Sequence, residues 1–197
     1  LRFYHAMYQA LLFAMNLALL ANNIGLLWVA IELATLITVL MVGLYRTRAA
    51  LEAAWKYFIL GSLGIALALF GTILVYLAAQ PVIGQGLPAM AWDQLLARAA
   101  AFDPALLNLA FVFLLLGYGT KAGLVPLHAW LPDAHAEGPT PISAVLSGLL
   151  LNVALYAVLR FKMLMSANPS ALAPGPLMVM LGLLSLLFAG LMLYRRG

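Results

Sequence analysis

Asp103-Pro104-Ala105-Leu106-Leu107-Asn108-Leu109-Ala110-Phe111-Val112-Phe113-Leu114-Leu115-Leu116-Gly117-Tyr118-Gly119-Thr120-Lys121-Ala122-Gly123-Leu124-Val125-Pro126 is the stretch on which the reading of this chain turns. Asp103 is an N-cap residue and Pro104 suits the first helical position, so the start of a helix is well marked. The apolar run that follows is long enough to cross a hydrocarbon core of about 30 Å at 1.5 Å per residue. Near its far end stands a lysine, followed at once by Gly123 and Pro126, which break or unwind a helix. Broken backbone at membrane depth is tolerated only where protein buries it or a cavity is lined by it. Lys121 is ~25 Å from Pro104. Two readings follow: it stands at a functional break inside the protein, or it snorkels to the far interface.

The rest of the chain agrees that lipid is its solvent. Of 197 residues, 66% are apolar and 8% charged, against roughly 25% charged in soluble domains. With a mean hydropathy of +1.07, a soluble globule of this size could not hide so much apolar side chain. A soluble enzyme is excluded. There are no cysteines, so thiolate ligation of an iron–sulfur cluster, a disulfide and a thiol nucleophile are excluded too. The expectation is a chain with no cofactor and no metal of its own, with redox chemistry left to partners. The net charge of +4 comes from scattered Lys and Arg rather than from one basic face, which argues against nucleic acid.

Six apolar stretches qualify as spans, at about 3–21, 24–45, 51–79, 104–126, 141–161 and 177–194, giving an all-α polytopic membrane protein organised as one transmembrane domain over 1–197. Asn22-Asn23 and Arg46-Thr47-Arg48 leave room only for short turns, so successive helices are antiparallel neighbours. The long connection from Gln80 to Asp103 carries Trp92 and, over about 90–101, apolar residues at helical spacing, the pattern of an interfacial helix. Arg2, Arg46, Arg48, Arg195 and Arg196 fall on one side against Arg98, Arg160 and Lys162 on the other. The positive-inside rule places the first group in the cytoplasm. Leu1 in place of Met, and an end directly after an apolar run, read as a fragment of a longer protein.

An ionisable group near the bilayer centre costs about 2.5 to 3.5 kcal/mol and marks a candidate site. Glu32 lies ~12 Å into the second span; it is a functional carboxylate or a protonated group bonded to a neighbouring helix. Lys56 sits near the start of the third span with Glu52 four residues before it, the favourable order for a surface ion pair, so an interfacial salt bridge competes with a role in conduction. Asn152 lies ~16 Å into the fifth span, whose start is marked by Thr140-Pro141; it holds helices together or holds water. Between the fourth and fifth spans, His128, Asp133, His135 and Glu137 fit no standard zinc spacing. Histidines there suit proton passage near neutral pH.

The run from Lys121 through His128-Ala129-Trp130-Leu131-Pro132-Asp133-Ala134-His135 to Pro139-Thr140-Pro141 and Leu151-Asn152 resembles the proton-conducting, antiporter-like membrane subunits shared by respiratory complex I, the multi-subunit sodium/proton antiporters and the energy-converting hydrogenases. Gly117-Tyr118-Gly119-Thr120-Lys121, Asn152 in a place where complex I subunits usually carry lysine, and Trp28-Val29-Ala30-Ile31-Glu32 with Glu52-Ala53-Ala54-Trp55-Lys56-Tyr57 look most like the component F branch of hydrogenase-4 complexes, of formate-hydrogenlyase type. The resemblance implies two inverted five-helix repeats, each with a broken helix. The first five spans match the first repeat, and the sixth begins the second. It also implies that Glu32 pairs with Lys121, that Lys56, His128, His135 and Asn152 belong to the proton path, and that the subunit is non-catalytic. Its partners are then other membrane subunits and a peripheral redox arm in the cell inner membrane. The competing functions are a complex I-like or sodium/proton antiporter subunit, and a non-conducting membrane anchor.

Overall fold

The computed structural model describes residues 2–195. Leu1 and Gly197, and Arg196 of the charge-bias argument, lie outside the described residues. Helix α1 is Arg2–Leu20, α2 Ile24–Val42 with a 3-10 turn to Tyr45, and α3 Arg48–Ile83; α4, Trp92–Arg98, is short, with a 3-10 turn on each side. Then come α5 (Pro104–Ala122), α6 (Leu131–Glu137), α7 (Thr140–Val145), a π-helical turn Leu146–Leu150 continuing into α8 (Leu151–Ser166), and α9 (Pro174–Arg195). Among the described residues, six helical stretches are long and apolar enough to cross a membrane, α7 and α8 forming one of them. The molecule is an all-α polytopic membrane protein with one broken span.

Caps set most of the boundaries. The Asn23 side chain accepts from the Gly25 and Leu26 N–H groups to start α2, Thr47 accepts from Ala50 to start α3, and Asp103 accepts from Ala105 to start α5. Thr47 therefore begins α3 at Arg48, three residues before the position expected from hydropathy. At its other end α3 runs through Pro81, which the sequence had placed in the connection. The chain leaves the helix at Gly84, whose φ of +104° a side chain would resist. The fifth span differs in another way. Thr140 makes no capping bond; it is already the first helical residue after Pro139, and the helix goes on to Ser166.

The fourth span departs most from expectation. It stops at Ala122 rather than Pro126, because Gly123 adopts φ +78° and its N–H turns back to Gly119 and Thr120. Residues 124–130 then run as turns until α6 begins. Trp130 fixes this return segment: its ring is fully buried, packs tilted against Tyr57 with centroids 4.6 Å apart, and donates from Nε1 to the Thr120 carbonyl at 2.8 Å.

The most extensive helix pair is α3 with α5. Glycines let the two backbones meet: a Cβ on Gly117 would stand 2.5 Å from the Ala68 nitrogen and 2.6 Å from the Gly64 carbonyl oxygen. Small residues at membrane helix interfaces act in this way, because apolar lipid supplies no hydrophobic drive between helices. At one end of the bundle, Asn22 bonds Asp93 at 3.0 Å, tying α4 to the α1–α2 turn. At the other end, Lys56 of α3 meets Asp133 of α6. The 43–48 turn and the 124–138 segment thus share one end, and α4 lies at the opposite end.

Candidate functional site

Lys121 is the last but one residue of α5, held in the interior at 1% exposure. Its Nζ lies over the Tyr57 ring, 4.8 Å from the centroid, and has no hydrogen-bond partner. Room for it comes from Gly61, where a Cβ would stand 2.6 Å from Nζ. Tyr57 and Gly61 are one helical turn apart on the same face of α3. The hydroxyl of Tyr57 is 2.8 Å from Thr38 Oγ1 on α2, and Trp28 of α2 donates to the Ile65 carbonyl at 2.8 Å. These two bonds set the antiparallel register of α2 and α3. Glu32 then lies between them, within a turn of the level of Gly61.

Glu32 and Lys121 face the same interior but make no ion pair within 4.0 Å, and Glu32 Oε2 is buried without a partner. Each is within electrostatic reach of the other. On the other side of Lys121, Met15, Ile31, Ala34, Leu150, Val153 and Ala154 line a narrow apolar crevice. A buried ionisable group without a partner is costly, so the packing of α2, α3 and α5 has to hold these two side chains in place.

The other residues marked in the sequence are placed apart from this pair. Lys56 bonds Glu52 at 2.7 Å and Asp133 at 2.9 Å, with its side chain about half exposed. The interfacial salt bridge, one of the two readings for this lysine, is therefore formed, and it gains a second acid across the α3–α6 contact. His128 meets the edge of Phe188 on α9, ring centroids 5.0 Å apart, with Nδ1 buried and unbonded. His135 Nδ1 lies 2.6 Å from Ser143 Oγ, and burial pushes its imidazole below the usual histidine value. Asn152 does not join the interior. It is exposed, and its Nδ2 donates to the Gly148 carbonyl of its own helix at 2.7 Å. Interhelical bonding by Asn152 is thus not seen among the described residues; its side chain serves a carbonyl of the π turn, which the Leu151 N–H closes on the Leu146 carbonyl. Single π turns inside helices occur often at functional sites.

Tyr57, Gly61 and Trp130, which build the chamber of Lys121, were not singled out from the sequence. The spacing of Tyr57, Gly61 and Gly64 along one face was the available signal. It could not be read without knowing that α5 packs there.

The architecture and the buried lysine at a helix break define a class: multi-pass membrane subunits with a discontinuous span around an interior charge. The family model for NADH:quinone oxidoreductase/Mrp antiporter transmembrane proteins matches residues 21–196, and the chain belongs to that family. It is 71% identical over 196 residues to a hydrogenase-4 component F homolog of Methylacidiphilum infernorum, covering 100% of this chain and 41% of that protein. It is 30% identical to NAD(P)H-quinone oxidoreductase chain 4 of Gloeobacter violaceus, covering 96% of this chain and 34% of the other. The chain thus spans less than half the length of these relatives. Among solved structures, an archaeal membrane-bound sulfane sulfur reductase has the same fold, with a TM-score of 0.77 at 24% identity over 90% of this chain and 34% of that one. Respiratory complex I from Thermus thermophilus matches with a TM-score of 0.65 at 30% identity, over 80% of this chain and 33% of that one.

Proposed function

We propose that this chain is the part of a proton-translocating subunit that holds a lysine–glutamate gate, in an energy-converting hydrogenase complex of formate-hydrogenlyase type in the cell inner membrane. Redox chemistry resides in partner subunits of a peripheral arm, and this chain answers it through other membrane subunits. The observation that carries the reading is Lys121: buried to 1%, at the end of a broken helix, unbonded, with Glu32 facing the same interior. A structural lysine would be paired, as Lys56 is. The component F homolog at 71% identity supports the hydrogenase branch.

In this reading, Glu32 approaching Lys121 stabilises the ammonium and loads a proton, and its withdrawal leaves an amine that gives the proton up. A carboxylate within about 4 to 6 Å is sufficient to switch the favoured state. A swing of ~4 kcal/mol matches lifting one charge through ~170 mV, at 2.3 kcal/mol per 100 mV. His128 and His135, on the side assigned to the cytoplasm, then serve entry or exit, while Lys56 fastens α6 to α3 beside them. Asn152 contributes through the π turn whose Gly148 carbonyl it caps.

The test is redox-driven proton uptake by the assembled complex in vesicles. Lys121→Ala and Glu32→Ala each abolish most uptake with assembly intact, and the double variant is little worse because the two residues act as one device. Full uptake in Glu32→Ala, or additive losses, would reject the gate. Failed assembly in both would favour the anchor, and uptake that requires sodium would favour the antiporter.

A further inference from the structure

The end of the bundle that carries Arg46 and Arg48 holds a feature unrelated to the lysine chamber. An open groove of about 780 Å³ runs between α1, α2 and α3, walled by Val39, Leu40, Leu44, Leu51, Trp55 and Phe58 and bordered by Arg46. That volume falls within the roughly 300 to 1,000 Å³ of small-ligand sites. Leu51 to Phe58 covers ~10 Å of helix, so the apolar wall descends from the interface well into hydrocarbon. Trp55 is 59% exposed and meets Phe58 edge-on at 5.8 Å, a wide aromatic surface at interfacial depth.

The charges are sorted around it. With about 100° of rotation per residue, Leu51, Ala54, Trp55 and Phe58 fall on one face of α3 and Ala49, Glu52, Ala53 and Lys56 on nearly the opposite one. The acidic groups Glu52, Asp133 and Glu137 all lie on that far side. Arg46 is held at the mouth of the groove by a left-handed residue conformation, φ +55°, between the 3-10 turn and Thr47. Among the described residues, neither Arg46 nor Arg48 forms an ion pair, and both are exposed. A deep apolar slot with unpaired cations at headgroup level and no acid in its walls complements one chemistry: fatty chain below, phosphate above.

We propose that this groove binds one anionic phospholipid of the surrounding leaflet, its phosphate on Arg46 and an acyl chain along Leu40, Leu44, Trp55 and Phe58. Basic pockets between spanning helices recognise anionic headgroups in this way. The Arg46 guanidinium selects the headgroup, while Trp55 and Phe58 hold the chain against exchange with bulk lipid. The lipid fills the gap between the ends of α1 and α3, beside the turn that starts α3.

The test uses the assembled complex in native-like vesicles containing photoactivatable phosphatidylglycerol or, separately, photoactivatable phosphatidylcholine, with crosslinks to this subunit mapped by peptide mass spectrometry. Leu63 and Phe70, exposed on the middle of α3, serve as the bulk-lipid reference. Crosslinks at residues 39–58 are expected to favour phosphatidylglycerol about five-fold over the ratio at the reference positions, the effect of one arginine near an anionic surface. Arg46→Gln, an exposed side chain whose loss does not disturb packing, brings the ratio back to the reference. Leu40→Trp, filling the slot from its exposed side, lowers crosslinking by both lipids at residues 44–58. A ratio equal to the reference, a preference unchanged by Arg46→Gln, or no crosslink from either lipid because a neighbouring subunit occupies the groove would each overturn the proposal.

Discussion

Two lysines of this chain have opposite surroundings. Lys56 stands at the end of the bundle, half exposed, with carboxylates at 2.7 and 2.9 Å; Lys121 stands inside, with an aromatic face, a glycine and no acceptor. Exposed ion pairs contribute about 0 to 1 kcal/mol and are screened by salt. The first arrangement therefore fastens α6 to α3 weakly and reversibly. The second costs stability and is kept up by the packing of α2, α3 and α5. A charge that satisfies its neighbours belongs to architecture, and one that the architecture leaves unsatisfied is available for chemistry.

The sharpest way to break this comparison is to make both lysines apolar. Lys121→Met is expected to abolish proton uptake and yet to leave the subunit at least as stable, since a buried amine without an acceptor gives way to an apolar side chain of similar volume. Thermal unfolding of the purified full-length protein in detergent, beside the uptake assay, checks both halves; a large loss of stability would mean that Lys121 is structural.

Next in size is the packing that holds the chamber. Gly117→Val forces a side chain against the Ala68 and Gly64 backbones, which cannot turn aside, and is expected to cost about 3 kcal/mol and to reduce assembly. Gly61→Ala presses only on the flexible end of Lys121, so it should leave assembly intact while disturbing uptake. Equal assembly defects in the two would show that the α3–α5 contact, and not the chamber, depends on Gly61.

Smaller again is the bond that sets the α2–α3 register. Tyr57→Phe removes the 2.8 Å contact to Thr38 and is expected to cost about 1 kcal/mol, read by the same unfolding measurement. Lys56→Met should cost less than that, and the difference should vanish in high salt. A Lys56 variant losing more than the Tyr57 variant would remove the contrast between the two regions.

The least effect is expected at His135. Burial lowers its proton affinity in the folded protein, so the unfolded chain binds more protons over the interval between the two values. Stability then rises with pH through that interval and is lost as pH falls below the ordinary histidine value of about 6.5. Protection factors from hydrogen exchange over residues 131–143, corrected for the pH dependence of the intrinsic rate, should fall on acidification, and His135→Gln should remove that dependence.

The sequence by itself determined what is local. Lipid as solvent, six spans, the Asp103 cap and the break at Gly123 follow from hydropathy, capping chemistry and the conformational freedom of glycine, none of which needs a neighbour. The pattern around Lys121 and His128 also carried the family. Tertiary structure decided which way each helix faces. Both α2 and α5 are apolar on all sides, because lipid and protein interior are equally apolar, and no period in such a helix distinguishes the buried side from the lipid side. For that reason, Asn152 turned out to face outward and bond its own helix, Lys56 found a second acid 77 residues away, and Tyr57, Gly61 and Trp130 emerged as the walls around Lys121 only once α3 lay against α5.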